Sequence, residues 1–237
     1  MDTIESYTYC GHSAVLFTTS SGKTVAIDPW LEGNPRCPEE LRNPKSIDLI
    51  VLSHGHTDHA GDIFRLCKEF NCQVAATFEL AMLLIRGGVS QDRVIPMNKG
   101  GTIEWEGLRV TLTHAFHSSS FELNGETFYA GEACSVVLSS GSGNIFHAGD
   151  TDIFSDLKLL GELYKPKVAF VPIGDVFTMG PKEAALAAKW LNCSLAVPIH
   201  YKTFPQLTGT YSEFESECRN REVVCKEVEP GQTEAVK

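Results

Sequence analysis

Two mixed sheets packed face to face, with helices on their outer sides, are the α/β fold that this sequence predicts. Strand-like apolar runs are followed by helical patterns in the first third of the chain and again in the last third. This repeated succession is typical of a sandwich whose sheets each bury one face against the other and one face under helices. An apolar content of 43% over 237 residues supports an ordinary core. Because no linker or low-complexity run divides the chain, we expect a single domain over residues 1–237.

The first third of the chain predicts strands that alternate with helices. The strand-like segments are residues 7–18, 24–27, 49–52 and 74–76. Apolar residues at helical spacing predict one helix over residues 58–70 and another over residues 79–85, which ends at Gly87-Gly88. The segment 32–46 is rich in Pro, Asn and Gly and is expected to be a surface loop.

The rest of the chain is rich in strands before the alternation with helices resumes. The predicted strands are residues 102–105, 108–113, 127–129, 135–138, 144–146, 167–172 and 195–199. Pro181 stands at the favoured first position of a predicted helix. The apolar stripe of this helix consists of Ala184, Ala187, Ala188 and Leu191.

Charge and composition limit the classes of partner. The chain has 20 Lys and Arg and 30 Asp and Glu, which give a net charge of −10. Binding to nucleic acid needs a basic surface. We therefore expect no nucleic-acid partner. No apolar run is long enough to span a bilayer, and the acidic N-terminus lacks the pattern of a signal peptide. A cytoplasmic location without membrane contact is expected, and the eight scattered cysteines are expected to be structural.

Three histidines and one aspartate lie within six positions directly after the predicted strand 49–52. In this H-x-H-x-D-H cluster, His54 and His56 point to the same side of an extended segment. Asp58 and His59 come one turn later, where a helix begins, and can face a second point. Imidazole and carboxylate groups are ligands of Zn²⁺ and neighbouring first-row ions. The spacing therefore indicates two metal ions side by side.

Two ions need more ligands than this cluster supplies, and three further strand ends offer them. One carries His114 and His117, the next carries His147 and Asp150, and the last carries His200. At each place small residues nearby let the backbone approach a ligand. Any one of these residues alone could be structural, but together they complete the set that such a site requires.

With these segments in place, the chain resembles the metallo-β-lactamase superfamily over nearly its whole length, and in particular the "metal-dependent hydrolase" branch that is similar to ascorbate-6-phosphate lactonases. The resemblance implies an αββα sandwich with a binuclear site on one rim. The segments that carry it are Gly11-His12-Ser13, Ile27-Asp28-Pro29-Trp30, the H-x-H-x-D-H cluster, Phe116-His117-Ser118-Ser119, His147-Ala148-Gly149-Asp150-Thr151, Pro172-Ile173-Gly174-Asp175, Phe177-Thr178-Met179-Gly180-Pro181 and Pro198-Ile199-His200-Tyr201.

The resemblance also implies how the ligands are shared between two divalent ions. The ligands of the first ion would be His54, His56 and His117. The ligands of the second would be Asp58, His59 and His200. Asp150 would bridge the two ions. His114 competes with His117, which is preferred because the branch has its histidine just before the serine pair. Zn²⁺ is the first expectation, and Mn²⁺, Fe²⁺ and Ni²⁺ tolerate the same ligands.

Several residues are expected beside the ligands. His12 is expected to hydrogen-bond the substrate or a ligand, and Asp28 and Asp175 to orient ligand imidazoles. Ser118 offers a hydroxyl donor, and Lys202 could reach the small-molecule substrate, which is expected to be anionic. Asp58 and Asp150 are the expected catalytic residues, Asp58 as a proton shuttle and Asp150 as the holder of the bridge.

The expected activity is the hydrolysis of a small molecule by metal-activated water. A lactone or other ester is the first choice, because the resemblance is to lactonases, and a phosphodiester or nuclease-type reaction is the second. A non-heme iron redox enzyme on the same scaffold is disfavoured, since di-iron flavoproteins of the superfamily have a carboxylate where His56 stands. A non-catalytic metal-binding protein is disfavoured because no ligand position is missing. A homo-oligomer is compatible with the sequence.

Overall fold

The computed structural model describes residues 1–236, which form two large sheets, a small hairpin and seven α-helices. The strands are β1 (Ile4–Gly11), β2 (Ala14–Thr19), β3 (Thr24–Ile27), β4 (Leu49–Val51), β5 (Gln73–Thr77), β6 (Val94–Met97), β7 (Thr102–Trp105), β8 (Leu108–His114), β9 (Ser120–Leu123), β10 (Glu126–Tyr129), β11 (Cys134–Ser140), β12 (Gly143–His147), β13 (Val168–Pro172), β14 (Leu195–Ile199) and β15 (Thr233–Ala235). The helices are α1 (Glu39–Arg42), α2 (Thr57–Ala60), α3 (Ile63–Phe70), α4 (Phe78–Arg86), α5 (Leu157–Tyr164), α6 (Pro181–Leu191) and α7 (Tyr211–Asn220).

Both large sheets are mixed. The first has the order β15-β1-β2-β3-β4-β5-β6, with its first three pairs antiparallel and its last three parallel. The second has the order β14-β13-β12-β11-β8-β7, with β12, β13 and β14 parallel and the other pairs antiparallel. It follows that β1, β3 and β4 end at one edge of the first sheet, and that β8, β12, β13 and β14 end at one edge of the second.

Three apolar layers hold the sandwich together. The central layer lies between the sheets and includes Phe17 and Phe170, whose rings meet edge to face with centroids 5.8 Å apart. In β4, Leu49 and Val51 join this layer, whereas Ile50 packs against the helices that cover the first sheet. The third layer lies between the second sheet and the helices α5, α6 and α7. The predicted sandwich, with helices on its outer sides, is confirmed.

The predicted strand over residues 7–18 is instead the hairpin of β1 and β2. The chain reverses at Gly11 and His12, which have φ angles of +94° and +56°. A glycine takes such an angle without strain, and the histidine is held in it by its contacts. The reversal buries the His12 side chain fully at the tip of the hairpin.

The predicted helix over residues 58–70 is interrupted. The one-turn helix α2 ends before Gly61, and α3 begins after Asp62, whose carboxylate accepts hydrogen bonds from the backbone N–H groups of Leu31 and Glu32 at 2.5 and 2.7 Å. This carboxylate ties the break to the loop after β3. The interruption lets the single turn of α2 project its side chains independently of α3.

Several short elements were not predicted from the sequence, and their patterns explain why. The helix α7 is largely polar and buries only Phe214 and Cys218, one turn apart. The strand β15 has three residues and no buried one. Within residues 1–236, no helix has the length and apolar character that crossing a bilayer requires.

Candidate metal centre

The first four predicted ligands follow the end of β4. Gly55 lets this segment pass close to the second half of the chain, since a Cβ there would lie 2.7 Å from the carbonyl oxygen of Ser120. His56 is the residue that caps α2, and Asp58 and His59 lie within its single turn. The extended segment and the turn therefore direct the side chains toward two neighbouring points, as the spacing predicted.

The other three predicted ligands come from the second sheet. His117, Asp150 and His200 follow β8, β12 and β14, which all end at the same edge. Gly149 has a φ angle of +60°, and a Cβ there would lie 2.7 Å from the Cβ of Ser53, so this position brings the Asp150 loop against the first sheet. The edges of both sheets therefore meet at one place.

His54, His56 and His117 form one group of potential ligands. Each offers one ring nitrogen, and these three atoms lie within 4.8 Å of one another. Nε2 of His54 is 3.0 Å from Nδ1 of His56. This is the trio that was expected to hold the first ion.

Asp58, His59 and His200 form a second group, to which His12 also belongs. Their donor atoms lie within 4.8 Å of one another. Nε2 of His200 is 3.8 Å from Oδ2 of Asp58. This group contains the trio that was expected to hold the second ion.

Asp150 lies between the two groups. Its Oδ2 is 3.1 Å from Nε2 of His200 and 3.7 Å from Nε2 of His117. Its Oδ1 is 3.3 Å from Nε2 of His59. One buried carboxylate thus contacts histidines of both groups.

The polar atoms at this place fit a divalent cation. Among residues 1–236, Nε2 of His59, Oδ1 of Asp150 and both ring nitrogens of His200 are buried without a hydrogen-bond partner. Leaving such atoms unpaired in a protein interior is costly. Imidazole nitrogen and carboxylate oxygen are the ligand atoms that Zn²⁺ and related ions accept. A metal ion would satisfy Nε2 of His59, Oδ1 of Asp150 and Nε2 of His200.

The charges at the centre also favour a cation. Burial alone would raise the pKa of Asp150, but His200 and His59 lower it well below its usual value. Burial alone would lower the pKa of His59, but the carboxylates of Asp150 and Asp28 raise it well above its usual value. Burial lowers the pKa of His54. The carboxylate of Asp150 therefore stays ionised, and it favours a positive charge at Nε2 of His59, the atom that faces it.

Asp28 fixes the orientation of two of the histidines. It is fully buried, and its Oδ1 accepts the backbone N–H of Ser53 at 2.7 Å. Its Oδ2 accepts the Ser53 hydroxyl at 2.6 Å and lies 2.8 Å from Nδ1 of His59. Because the Ser53 proton points to Asp28, the Ser53 oxygen accepts Nδ1–H of His54, 2.9 Å away. Both rings therefore keep a proton on Nδ1, so Nε2 is the atom that each offers to the centre; at His59, whose pKa is raised, a metal would displace the proton on Nε2.

His12 orients the carboxylate of Asp58. Its Nε2 is 3.0 Å from Oδ2 of Asp58, and its Nδ1 is 2.9 Å from the hydroxyl of Thr203. Burial lowers the pKa of His12 to about 4, so its ring is neutral near pH 7. A neutral ring that accepts the Thr203 hydroxyl at Nδ1 donates Nε2–H to Asp58. His12 therefore contacts a predicted ligand, as expected, and has no lone pair left for a metal.

Two of the residues expected beside the ligands have other partners. Asp175 is exposed, and its carboxylate accepts hydrogen bonds from the backbone N–H of Val176 and the hydroxyl of Thr208, so it orients no imidazole. Its φ angle of +64° turns the side chain back onto its own loop. Lys202 forms an ion pair with Glu227, with Nζ 2.8 Å from Oε1, which neutralises the charge that was expected to meet an anionic substrate.

The two remaining residues lie beside the first group. Ser118 is exposed and lines a cavity next to His117. His114 lines the same cavity, but its Nδ1 is 3.1 Å from Nζ of Lys99, and it belongs to neither group of potential ligands. This arrangement favours His117 over His114 as the ligand.

Ser53 and Thr203 are part of the centre but were not singled out in the sequence. Ser53 directly precedes His54 at the end of a strand, and this position next to a ligand is the signal that could have identified it. Thr203 lies 191 residues from His12, and nothing in the sequence connects the two.

Comparisons with known proteins show what the chain is similar to. The family model described as "Beta-lactamase superfamily domain" matches residues 23–201. A "UPF0173 metal-dependent hydrolase" of Roseiflexus sp. (strain RS-1) is 42% identical over 214 residues, which cover 89% of this chain and 88% of the relative. A protein of the same name from Rubrobacter xylanophilus is 44% identical over 214 residues, which cover 90% of this chain and 88% of that relative.

A solved structure shares the fold over nearly its full length. It is Igni18, described as a novel metallo hydrolase from the hyperthermophilic archaeon Ignicoccus hospitalis. The two chains superpose with a TM-score of 0.87 and 32% sequence identity, and the match covers 98% of each chain.

Proposed function

This chain belongs to the beta-lactamase superfamily and is a metal-dependent hydrolase of the metallo-β-lactamase type, and on that premise we propose that it uses two divalent ions to hydrolyse a lactone or other ester of a small molecule. The observation that carries the proposal is the position of Asp150, which contacts His59 and His200 on one side and His117 on the other. A carboxylate in that position can be shared by two ions.

The ligand sets of the proposal follow the two groups of side chains. His54, His56 and His117 would hold one ion. Asp58, His59 and His200 would hold the other. When bound, such ions supply Lewis acidity and lower the pKa of a bound water toward neutrality. Zn²⁺ suits these ligands best, and Mn²⁺, Fe²⁺ and Ni²⁺ are also compatible with them.

The chain's own contribution to the reaction is orientation. Burial alone would raise the pKa of Asp58, but the hydrogen bond from His12 lowers it well below its usual value. Asp58 is therefore an ionised acceptor in a fixed position, which suits it to align an attacking water. Because a carboxylate of such low pKa is a weak base, we assign it positioning and a role in passing the proton on. Asp150 would keep the two ion positions in register.

An ester or lactone is preferred to a phosphodiester because of the lysines near the centre. Lys202 is paired with Glu227, and Lys99 is paired with Glu132. To meet a phosphate, either lysine would have to give up its present carboxylate partner. The expectation of an anionic substrate rested on Lys202, and we accordingly propose an uncharged ester as the preferred substrate.

Metal analysis together with a substrate panel tests this proposal. The protein would be purified without added metal, its metal content measured, and the protein then assayed on lactones, carboxylic esters and phosphodiesters after loading with Zn²⁺ or Mn²⁺. We expect two ions per chain and hydrolysis of esters or lactones. Asp150→Ala should lower kcat/KM by more than about a hundredfold, the upper range for removing a partner of a metal ligand. It should also reduce the metal content below two ions.

The control is Asp92→Ala, which removes an exposed carboxylate just before β6, at the opposite edge of the first sheet. It should change neither the activity nor the metal content. Unchanged activity in Asp150→Ala, or a single ion in the active wild-type protein, would contradict the binuclear proposal.

A further inference from the structure

A cavity of about 420 Å³ opens beside the predicted metal ligand His117. Its walls are formed by His114, Ala115, Phe116, His117, Ser118 and Glu132. Its volume falls within the range of small-molecule sites. Because His117 belongs to both the ligand group and the wall, a molecule in the cavity would lie directly against the proposed reaction centre.

Phe116 presents a large apolar ring at this cavity. The side chain is 62% exposed. Its backbone is nevertheless held on both sides, since its N–H donates to the hydroxyl of Thr151 at 2.9 Å and its carbonyl accepts the N–H of Asp152 at 3.1 Å. The ring is thus kept next to a metal ligand without being covered by the core. Covering it with an apolar group would remove that surface from water.

Aromatic neighbours extend this apolar wall. The rings of His114 and Phe116 meet edge to face with centroids 5.9 Å apart, and His114 meets Phe154 on its other side at 5.1 Å. Lys99 carries only donors, so its contact with Nδ1 of His114 leaves the ring proton on Nε2. Partial burial, with the Lys99 charge, lowers the pKa of His114. The wall is therefore a neutral aromatic surface with one N–H donor.

The charged groups around the cavity compensate each other. Lys99 forms an ion pair with Glu132, a wall residue, so the two charges offset each other beside the cavity. The wall offers the His114 N–H and the Ser118 hydroxyl to a ligand as uncharged hydrogen-bond donors. Uncharged donors of this kind suit the oxygen atoms of an ester better than a carboxylate or phosphate group.

We propose that this cavity binds the uncharged apolar acyl group of the substrate, with Phe116 as the contact that determines specificity. The inference rests on the proposed ester or lactone hydrolysis and names the class of substrate: neutral esters or lactones with an aliphatic or aromatic acyl chain. The chain would lie along the Phe116 ring and leave the reacting carbonyl beside His117.

A series of 4-nitrophenyl esters tests this inference on the metal-loaded protein. Acetate, butyrate and hexanoate esters differ only in chain length, and the adipate half-ester has a carboxylate in place of the terminal methyl group of hexanoate. For the wild-type protein, kcat/KM should rise by about two- to fourfold per methylene, and the adipate half-ester should be hydrolysed more slowly than hexanoate. Phe116→Ala should flatten the dependence on chain length, so that the ratio of kcat/KM for hexanoate to kcat/KM for acetate falls toward one, and Phe116→Leu should restore part of this ratio.

The matched control is Leu163→Ala, which removes another exposed apolar side chain, at the C-terminal end of α5 and so at the opposite edge of the second sheet. It should leave the chain-length dependence intact. A second measurement uses the uncleavable ketone 2-octanone, which should inhibit the wild-type protein competitively and far better than acetone does. This measurement needs no variant.

The outcomes separate the inference from the function on which it rests. If the metal-loaded wild-type protein hydrolyses no ester or lactone, the proposed function fails, whether or not it cleaves a phosphodiester. If it hydrolyses the acetate ester but shows no preference for longer chains, or prefers the adipate half-ester, the function stands and the apolar acyl site is wrong. An unchanged chain-length dependence in Phe116→Ala would remove Phe116 from the site.

Discussion

Replacing Asp28 by asparagine should weaken metal binding strongly, although Asp28 itself is not a predicted ligand. The carboxylate accepts hydrogen bonds from Ser53 twice and from His59 once. An amide in its place has one acceptor oxygen and two donor hydrogens. If the oxygen keeps the Ser53 N–H, the amide nitrogen faces the Ser53 hydroxyl and His59. The His59 ring would then have to carry its proton on Nε2, where the lone pair for the metal is needed.

The size of the effect follows from the number of ligands that Asp28 serves. Removing the hydrogen-bond partner of one metal ligand typically costs 10- to 100-fold in metal affinity. Asp28 holds His59 directly and His54 through Ser53. We therefore expect Asp28→Asn to lose about 100-fold in metal affinity, which corresponds to about 2.7 kcal/mol of binding free energy.

The assay is a competition titration of Zn²⁺ between the protein and a chromogenic chelator. The wild-type protein and Asp28→Asn would be compared at one pH, and the ring-nitrogen NMR shifts of the metal-free proteins would report the protonation of His59. In the wild-type protein both ring nitrogens should carry a proton, and in the variant only Nε2 should carry one.

Asp62→Asn is the matched control. Asp62 is also buried and accepts two backbone hydrogen bonds, but it contacts no predicted ligand. Its replacement should reduce folding stability and leave the affinity for Zn²⁺ within about threefold of the wild type. If Asp28→Asn bound Zn²⁺ as tightly as the wild type, the assignment of the ring protons and of the role of Asp28 would be wrong.

Three further predictions concern the buried histidines and the strained loop. Burial lowers the pKa of His147 below 6.5, so the unfolded chain binds a proton that the folded protein does not, and stability is lost as the pH falls below 6.5. In urea unfolding with chelator present, His147→Gln should reduce the slope of the free energy of unfolding against pH by up to about 1.4 kcal/mol per pH unit. An unchanged slope would contradict this prediction. Gly174→Ala would place a Cβ 2.1 Å from the carbonyl oxygen of His200. It should therefore cost about 1–3 kcal/mol of stability and weaken the binding of one of two ions. Two unchanged Zn²⁺ affinities would refute this prediction. Val176 is exposed and has a φ angle of +61°. Val176→Gly should raise the free energy of unfolding by about 1 kcal/mol, because the backbone strain that it relieves exceeds the added conformational entropy of glycine in the unfolded chain. A loss of stability would show that the loop is not strained.

The sandwich and the gathering of the potential ligands could be predicted because both leave local signals. Buried strands appear as apolar runs, and a histidine or aspartate at the end of such a run is unusual enough to be noticed. His54, His117 and His200 are of this kind: His54 follows a strand of the first sheet, and the other two follow strands of the second sheet that end at the same edge.

Other features depend on partners that are distant in the chain. The Lys202 side chain was expected to be free, but Glu227 lies 25 residues further on and pairs with it. Asp175 follows a strand as a ligand-orienting residue would, yet its backbone angle turns it toward Thr208. Neither contact could be predicted from the residues next to Lys202 or Asp175 in the sequence. The contact between His12 and Thr203 could not be predicted for the same reason.

Each of the two groups of potential ligands takes side chains from both halves of the chain. His54 and His56 follow the first sheet and His117 follows the second, while Asp58 and His59 meet His200 in the same way. The centre therefore straddles the seam of the sandwich, and its atoms come together only when the two sheets are docked. A bound metal ion would hold the two sheets together and add RT ln(1 + [M]/Kd) to the free energy of unfolding of the whole molecule, rather than stabilise one loop alone. Neither half of the chain alone could assemble either group of donors.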